Sequence, residues 1–196
     1  DPQRGHRGSA AGADPMSPLG IFPTGGGRYE RRSEVPDGNE GVRQSMTRLA
    51  VVIRHGSYTS LVRAWAVTMA GAAGPERGVE IVERLTTWVR GRMRYSPDPP
   101  EMERITTPAA LLEEIGRLGH AVGDCDEYVS LLGGLLGALG LQVELVLLST
   151  DADQQYRHVT LAVYLPDGAR VPVDVSSEFA VGWEEPEWTA KEVIPV

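Results

Sequence analysis

The chain has 196 residues, an apolar fraction of 41% and a formal net charge of −8. This size suits one domain, with or without an appendage, and the acidic balance argues against nucleic-acid binding, which needs clustered Lys and Arg. The single cysteine excludes an internal disulfide, and no apolar run reaches the ~18 residues of a membrane span. The first residues lack the apolar core of a signal peptide, so we expect an intracellular, cytoplasmic protein.

Residues 1–40 are rich in glycine and proline and contain few apolar residues. Such a composition buries too little surface to offset the entropy lost on ordering. The sequence therefore predicts an extended arm that is either flexible or ordered by a partner protein. Ile21 and Phe22 are the expected anchors of this arm.

Helical patterns fill the next part of the chain. Apolar residues recur at helical spacing from Asn39 to a break at His55–Ser57, from Leu61 to Met69, and from about Pro75 to Met93. Tyr95 follows, and we expect it to plug the core or to line a cleft. After a proline-rich loop, Thr107 and Pro108 have the residue types of an N-cap and a first helical position, which predicts a short helix ended by Gly119.

The segment GDCDE at residues 123–127 predicts the start of another helix. Asp124 is a good N-cap, and Glu127 stands three residues later, as in a capping box. One buried face is predicted from the spacing of Tyr128, Leu131, Leu132, Leu135, Leu136 and Leu139. Cys125 would then be the first residue of the helix.

The predicted position of Cys125 is one that can activate a thiol. The positive end of the helix dipole and nearby free N–H groups favour the thiolate, which is the reactive form. Asp126 and the capping acids act in the opposite direction, because negative charge disfavours a thiolate. The site therefore calls for a positive partner, most naturally a histidine. The simpler alternative is that Cys125 is a small core residue.

After Gly140 the pattern becomes strand-like. We predict strands at QVELVLLS, RHVTLAVYL and ARVPVDVS, followed by an acidic, irregular tail at residues 177–196. Helices that precede strands in this way indicate an α+β domain, which we place at residues 41–176.

The turn at Pro166–Gly168 suits a three-residue hairpin loop that ends in a left-handed glycine. Leu165 then faces Ala169, and Leu161 faces Val173, on one apolar side. The other side carries His158 and Asp174 in diagonal positions, about 7–8 Å apart and within reach of one another's side chains. This register predicts a His–Asp pair.

Cys125, His158 and Asp174 together form a candidate nucleophilic set, in which the thiol attacks an acyl carbon, the imidazole moves the proton and the acid orients the imidazole. The backbone N–H of Cys125 is one expected oxyanion donor, and His120 is a weak candidate for the second. A zinc site at Cys125, His158, His120 and an acid is a competing interpretation, although the spacing typical of zinc sites is missing. We expect neither a metal nor a cofactor.

The order of these motifs resembles the transglutaminase-like superfamily of papain-like thiol enzymes, and its small microbial and phage-encoded members above all. The resemblance covers roughly residues 42–176 and is carried by GDCDEYVSLLGGLLGALG, RHVTLAVYLPDG, VPVDVS and the proline-rich loop. It implies a core in which N-terminal helices and the nucleophile helix pack on a small antiparallel sheet. It also implies a triad at Cys125, His158 and Asp174, and activity on amides or peptides by hydrolysis, deamidation or acyl transfer.

Three functions follow as hypotheses. The first is a thiol acyl-transfer enzyme that acts on a protein or peptide substrate, without nucleic acid or membrane partners. The second is a non-catalytic structural or assembly protein of a phage particle, hence virion-associated, whose residues 1–40 and tail bind protein neighbours. The third is a cell-wall amidase, although such enzymes usually carry Asp-Cys-Ser-Gly at the thiol, and this chain has Asp-Cys-Asp-Glu.

Overall fold

The computed structural model describes residues 22–24, 28–30, 35–71, 78–99 and 103–196. These residues fall into two compact units, Asp1–Glu34 and Val35–Val196. In the first unit, β1 (Phe22–Thr24) pairs with β2 (Arg28–Glu30) in antiparallel fashion. Most of the predicted arm, including Ile21, lies outside the described residues, so the arm stays a prediction.

Five helices precede or contain the candidate nucleophile in the described part of the second unit. They are α1 (Gly38–Ser57), α2 (Ser60–Ala70), α3 (Val79–Arg92), α4 (Pro108–Leu118) and α5 (Cys125–Ala138). The break predicted at His55–Ser57 is present but lies at residues 58–59, because α1 continues to Ser57 and α2 begins at Ser60. The start predicted near Pro75 lies outside the described residues. No helix in the described ranges is both long and apolar enough to cross a membrane.

The N-terminus of α4 forms as the sequence predicts. The Thr107 side chain accepts a hydrogen bond from the Ala110 N–H at 3.2 Å, and Pro108 is the first helical residue. Gly119 ends the helix with φ of 81°, in the left-handed conformation that glycine adopts at little cost.

Two sheets lie in the second unit. A short parallel pair joins β3 (Met93–Tyr95) to β4 (Ala121–Gly123), and neither of these strands was predicted. The larger sheet has the order β7-β6-β5-β8, with antiparallel neighbours throughout. Its strands are β5 (Gln142–Ser149), β6 (His158–Tyr164), β7 (Arg170–Val173) and β8 (Ala190–Pro195).

The last strand corrects the prediction of an irregular tail. Residues 190–195 form β8, which pairs along β5, for example Val146 with Val193. The hydrogen-bonding edge of β5 opposite β6 is thereby covered, and a covered edge does not recruit other chains. The signal was weak in the sequence because β8 is mostly half-exposed and carries charged residues.

The hairpin of β6 and β7 has the predicted register. Leu161 pairs with Val173, Val163 pairs with Val171, and the Leu165 N–H donates to the Ala169 carbonyl at 2.9 Å. Gly168 has φ of 86°, the left-handed conformation expected at the end of this loop.

Helix α5 lies at the centre of the unit. We predicted one buried face, but residues 126–136 of α5 are buried on all sides, because the helix contacts the other four helices and strands β5 and β6. A helix that is enclosed on all sides exposes no face to solvent and so needs no polar face. This accounts for the wholly apolar run LLGGLLGA. The unit is therefore an α+β fold in which the helix that begins with the candidate nucleophile packs on a small antiparallel sheet, as predicted.

Glycines in α5 allow its neighbours to approach closely. A Cβ atom at Gly134 would lie 2.6 Å from Cγ of Pro108, and one at Gly56 of α1 would lie 2.8 Å from the same ring. Only glycine fits at such distances, which are well inside van der Waals contact. Pro108, the first residue of α4, therefore packs against α1 and α5 at once. This contact fixes the positions of α1 and α4 relative to α5.

Candidate active site

Cys125 is the first residue of α5 and is partly buried. The Asp124 side chain accepts the Asp126 N–H at 3.1 Å, and the Glu127 side chain accepts the Asp124 N–H at 3.2 Å. These bonds complete the predicted capping box. The sulfur is thereby held at the positive end of the helix dipole.

His158 opens β6 and Asp174 directly follows β7. The imidazole Nε2 lies 3.0 Å from Asp174 Oδ2, and the Ser176 hydroxyl donates to Asp174 Oδ1 at 3.1 Å. Asp174 is 7% exposed. Because a carboxylate can only accept, Nε2 carries the proton in this pair and Nδ1 is left with its lone pair.

Asp174 remains a carboxylate in this setting. Burial pushes its pKa upward, but the hydrogen bond and charge of His158, with hydrogen bonds from Ser176 and Ser177, hold the pKa below its ordinary value. The acid is therefore in the state that orients an imidazole and stabilises an imidazolium.

The thiol lies beside the start of β6. The Val159 backbone lies near enough to the Cys125 sulfur to lower the pKa of the thiol, against the larger influences that raise it. Val159 directly follows His158, so the structure brings all three predicted residues into one region, from three separate segments of chain.

Apart from the Val159 backbone, the surroundings of Cys125 favour the protonated thiol over the thiolate. Burial is the largest influence and raises the pKa of Cys125 well above its ordinary value, and the charges of Asp126 and Asp124 raise it further. The sulfur lies 3.8 Å from Asp126 Oδ1, an arrangement in which the thiol donates. The helix dipole alone does not outweigh these effects, so ionisation of the thiol depends on a base that takes the proton.

The pKa values of two acids behind the thiol, Asp126 and Glu127, are raised as well. Burial, followed by the influence of the nearby Glu103 carboxyl, raises the pKa of Asp126 well above its ordinary value. Burial and the charge of Asp124 raise the pKa of Glu127 to about 7, although Thr106 donates to this carboxyl at 3.0 Å. Glu127 is therefore partly protonated near neutral pH and carries less than a full negative charge there.

Arg90 is a positioning residue that the sequence did not reveal. It lies in the last turn of α3, and its Nη2 donates to the carbonyl oxygens of Asp174, at 2.8 Å, and Phe179, at 2.7 Å. It thereby fixes the backbone that carries the candidate acid. The partners lie more than eighty residues away along the chain, and no local pattern indicates them.

Tyr95 lies at the mouth of the site. Its backbone pairs with Gly123, its ring centroid is 6.2 Å from that of Tyr128, and it is 59% exposed. Burial of its hydroxyl and the negative charge of an ionised Cys125 raise the pKa of Tyr95. The expectation of a core plug is wrong, and the alternative of a cleft-lining residue agrees with this exposure.

The structure does not assemble the zinc set considered from the sequence. Within the described residues, the group that could hold a metal ion consists of Asp124, Cys125 and Asp126, whose ligand atoms lie within 4.8 Å of one another. It contains neither histidine. His120 is partly exposed, and its Nδ1 lies 3.2 Å from the Leu118 carbonyl oxygen.

A cavity of about 260 Å³ opens beside His158 and Asp174. Leu148, Pro172, Phe179 and Trp183 give it apolar walls, and its charged lining includes Asp151, Arg157, Glu184 and Glu185. Cys125 is not among the described residues that line it. The cavity therefore adjoins the imidazole and the acid rather than the sulfur.

A family model described as the transglutaminase-like superfamily matches residues 63–175. The match covers more than half of the chain and includes Cys125, His158 and Asp174. The chain therefore belongs to the transglutaminase-like superfamily, and the resemblance seen in its motifs is confirmed.

Comparison with curated proteins gives no match, whereas solved structures give matches of low identity. A candidate protease from Parabacteroides distasonis is 16% identical with a TM-score of 0.49, and the match covers 74% of this chain and 32% of that one. Calcium-bound LapG from Legionella pneumophila is 18% identical with a TM-score of 0.41, over 82% of this chain and 76% of that one. The chain thus spans about a third of the length of the first of these proteins.

Proposed function

We propose that the protein is a thiol-dependent acyl-transfer enzyme of the peptidase type, which cleaves amide or peptide bonds through Cys125, His158 and Asp174. The observation that carries this proposal is the 3.0 Å contact between His158 and Asp174, at the end of the sheet near which α5 begins with Cys125. Membership of the transglutaminase-like superfamily supports the same chemistry.

In the proposed mechanism, Nδ1 of His158 takes the thiol proton and the thiolate attacks the carbonyl carbon of the substrate. A C–S bond forms, and the carbonyl oxygen takes up the negative charge of a tetrahedral intermediate. When this intermediate collapses, the C–N bond breaks and the imidazolium gives its proton to the leaving amine. Water, activated by His158, then hydrolyses the thioester, unless a second amine attacks it first.

The oxyanion needs donors that point at the position where its charge develops. The backbone N–H of Cys125 at the start of α5 supplies one. We assign the second to the hydroxyl of Tyr95, whose strand is paired with the residues directly before the nucleophile. In this assignment His120 has no role in the site.

The substrate class that we propose is a protein or peptide. The alternative of a phage-particle protein depended on the arm at residues 1–40, most of which lies outside the described residues. No observation on the described residues favours it, and we do not propose it.

Alkylation of Cys125 tests the proposal without a known substrate. Iodoacetamide at pH 7 is expected to label the wild-type thiol faster than the thiol of a variant without the imidazole, because His158 takes its proton. Burial already raises the pKa of this thiol, and His158→Ala also removes the base that takes its proton. Labelling should therefore fall by at least about tenfold, since each unit of pKa removes tenfold of the thiolate. The matched control is His55→Ala, which replaces an exposed histidine of α1 and should leave the rate unchanged.

The proposal is overturned if His158→Ala and wild type react at the same rate and both react no faster than free cysteine. Such a result would leave Cys125 as a buried structural thiol. Equal unfolding midpoints for the two histidine variants would show that a change in rate reflects the site and not the fold.

A further inference from the structure

We infer that the cavity beside His158 is a subsite for a basic side chain, Lys or Arg, of the substrate residue on the leaving-group side of the scissile amide. This inference rests on the proposed function. It adds a substrate preference that the triad by itself does not define.

The location of the cavity indicates whether it binds substrate residues before or after the scissile bond. In the proposed mechanism the imidazole hands its proton to the leaving nitrogen, so the leaving group lies on the imidazole side of the thiol. His158 and Asp174 line the cavity, and Cys125 does not. A side chain that enters the cavity is therefore one that follows the scissile bond.

The charges that line the cavity favour a cation. Arg157 is already paired with Asp151 at 2.8 Å and with Asp153, and Glu184 is paired with Arg170 at 3.1 Å. Glu185, in contrast, has no cationic partner among the described residues, and its Oε1 accepts only a backbone N–H, from Glu187 at 3.0 Å. Glu185 is thus the carboxylate that is free to receive a charged group.

The apolar walls fit the stem of a long basic side chain. Phe179 and Trp183 are stacked with ring centroids 3.7 Å apart, and Phe179 is 48% exposed. Lys and Arg pack their methylene groups along apolar surface while the charged end stays polar, and aromatic faces attract cations. The net charge of −8 also draws basic peptides toward the protein.

A pair of matched affinity labels tests the subsite. Chloroacetyl-arginine amide and chloroacetyl-citrulline amide carry the same electrophile, and their side chains are nearly equal in shape but differ in charge. The sulfur displaces chloride in both, and the amino acid part extends to the leaving-group side. We expect the arginine probe to label Cys125 about three- to tenfold faster than the citrulline probe, in line with a cation near an aromatic face and a carboxylate.

Glu185→Gln should clearly lower this rate ratio, because it removes the carboxylate that is free to receive the charged group. Glu187→Gln is the matched control, because it removes the same charge two residues away at an exposed position, and it should keep the ratio. A ratio near one in the wild type, or a ratio that Glu185→Gln leaves unchanged, overturns the subsite.

The ratio separates this inference from the proposed function. If His158 does not activate the thiol, His158→Ala leaves the rates of both probes unchanged, whatever their ratio. If the triad operates but the cavity does not select charge, His158→Ala slows both probes and their ratio is about one from the start.

Discussion

Gly123 directly precedes the N-cap of the nucleophile helix, and Gly123→Ala is expected to disrupt that helix start. A Cβ atom at this position would lie 2.5 Å from Cγ and 2.6 Å from Oε2 of Glu127, and it would be closer still to Cβ of the same side chain. Glu127 is fully buried at 0% exposure and so cannot turn away into solvent. The added methyl group must therefore displace either the capping glutamate or strand β4.

Two effects determine how far Gly123→Ala lowers the free energy of unfolding. An extra methyl group in a packed interior costs about 1–3 kcal/mol, and loss of the capping interaction between Glu127 and the Asp124 N–H costs roughly a further 1 kcal/mol. Gly123 lies in β4 and not within a helix, so alanine brings no gain in helix propensity. We expect the free energy of unfolding to fall by about 2–4 kcal/mol on these terms.

Urea unfolding followed by circular dichroism measures this change. The control is Gly116→Ala in α4, where a Cβ atom would meet nothing within 4 Å, and this variant should gain up to about 1 kcal/mol from helix propensity. Slower labelling of Cys125 in Gly123→Ala would show that the damage reaches the thiol. The reasoning is refuted if Gly123→Ala unfolds at the wild-type midpoint while its m-value is unchanged.

Two further predictions concern the acids of the site. Burial raises the pKa of Glu127 to about 7, so the folded state keeps a proton on this carboxyl that the unfolded state loses near pH 4.5. The stability that this proton contributes should be complete below about pH 4.5 and should disappear as the pH rises through about 7. Over this pH window the free energy of unfolding should fall by up to about 3 kcal/mol. Glu127→Gln should therefore flatten the dependence of the urea midpoint on pH between pH 5 and pH 8. An unchanged slope in this variant would contradict the argument. Asp174→Asn presents an amide that can donate to His158 Nε2 and so force the proton onto Nδ1, and labelling of Cys125 should slow by about tenfold or more. Asp37→Asn, at an N-cap that makes no side-chain hydrogen bond, is the control, and equal rates in the two variants would remove Asp174 from the proposed triad.

Interactions between neighbours in the chain could be predicted from the sequence. The capping box at Asp124, the Thr107–Pro108 helix start and the register of the β6–β7 hairpin each depend on contacts within a few residues or on one turn. Turn geometry and the alternation of strand faces then bring His158 and Asp174 together. For this reason the sequence alone is enough to propose the candidate triad.

Other features were decided only by the tertiary structure, because they depend on contacts between distant segments. Arg90 binds the backbone beside Asp174, β8 pairs with β5, and four helices enclose α5, and no local pattern specifies these neighbours. The raised pKa of Cys125 and the cavity beside His158 arise in the same way. Desolvation depends on how densely remote segments pack around a group, and a cavity is the space that their packing leaves.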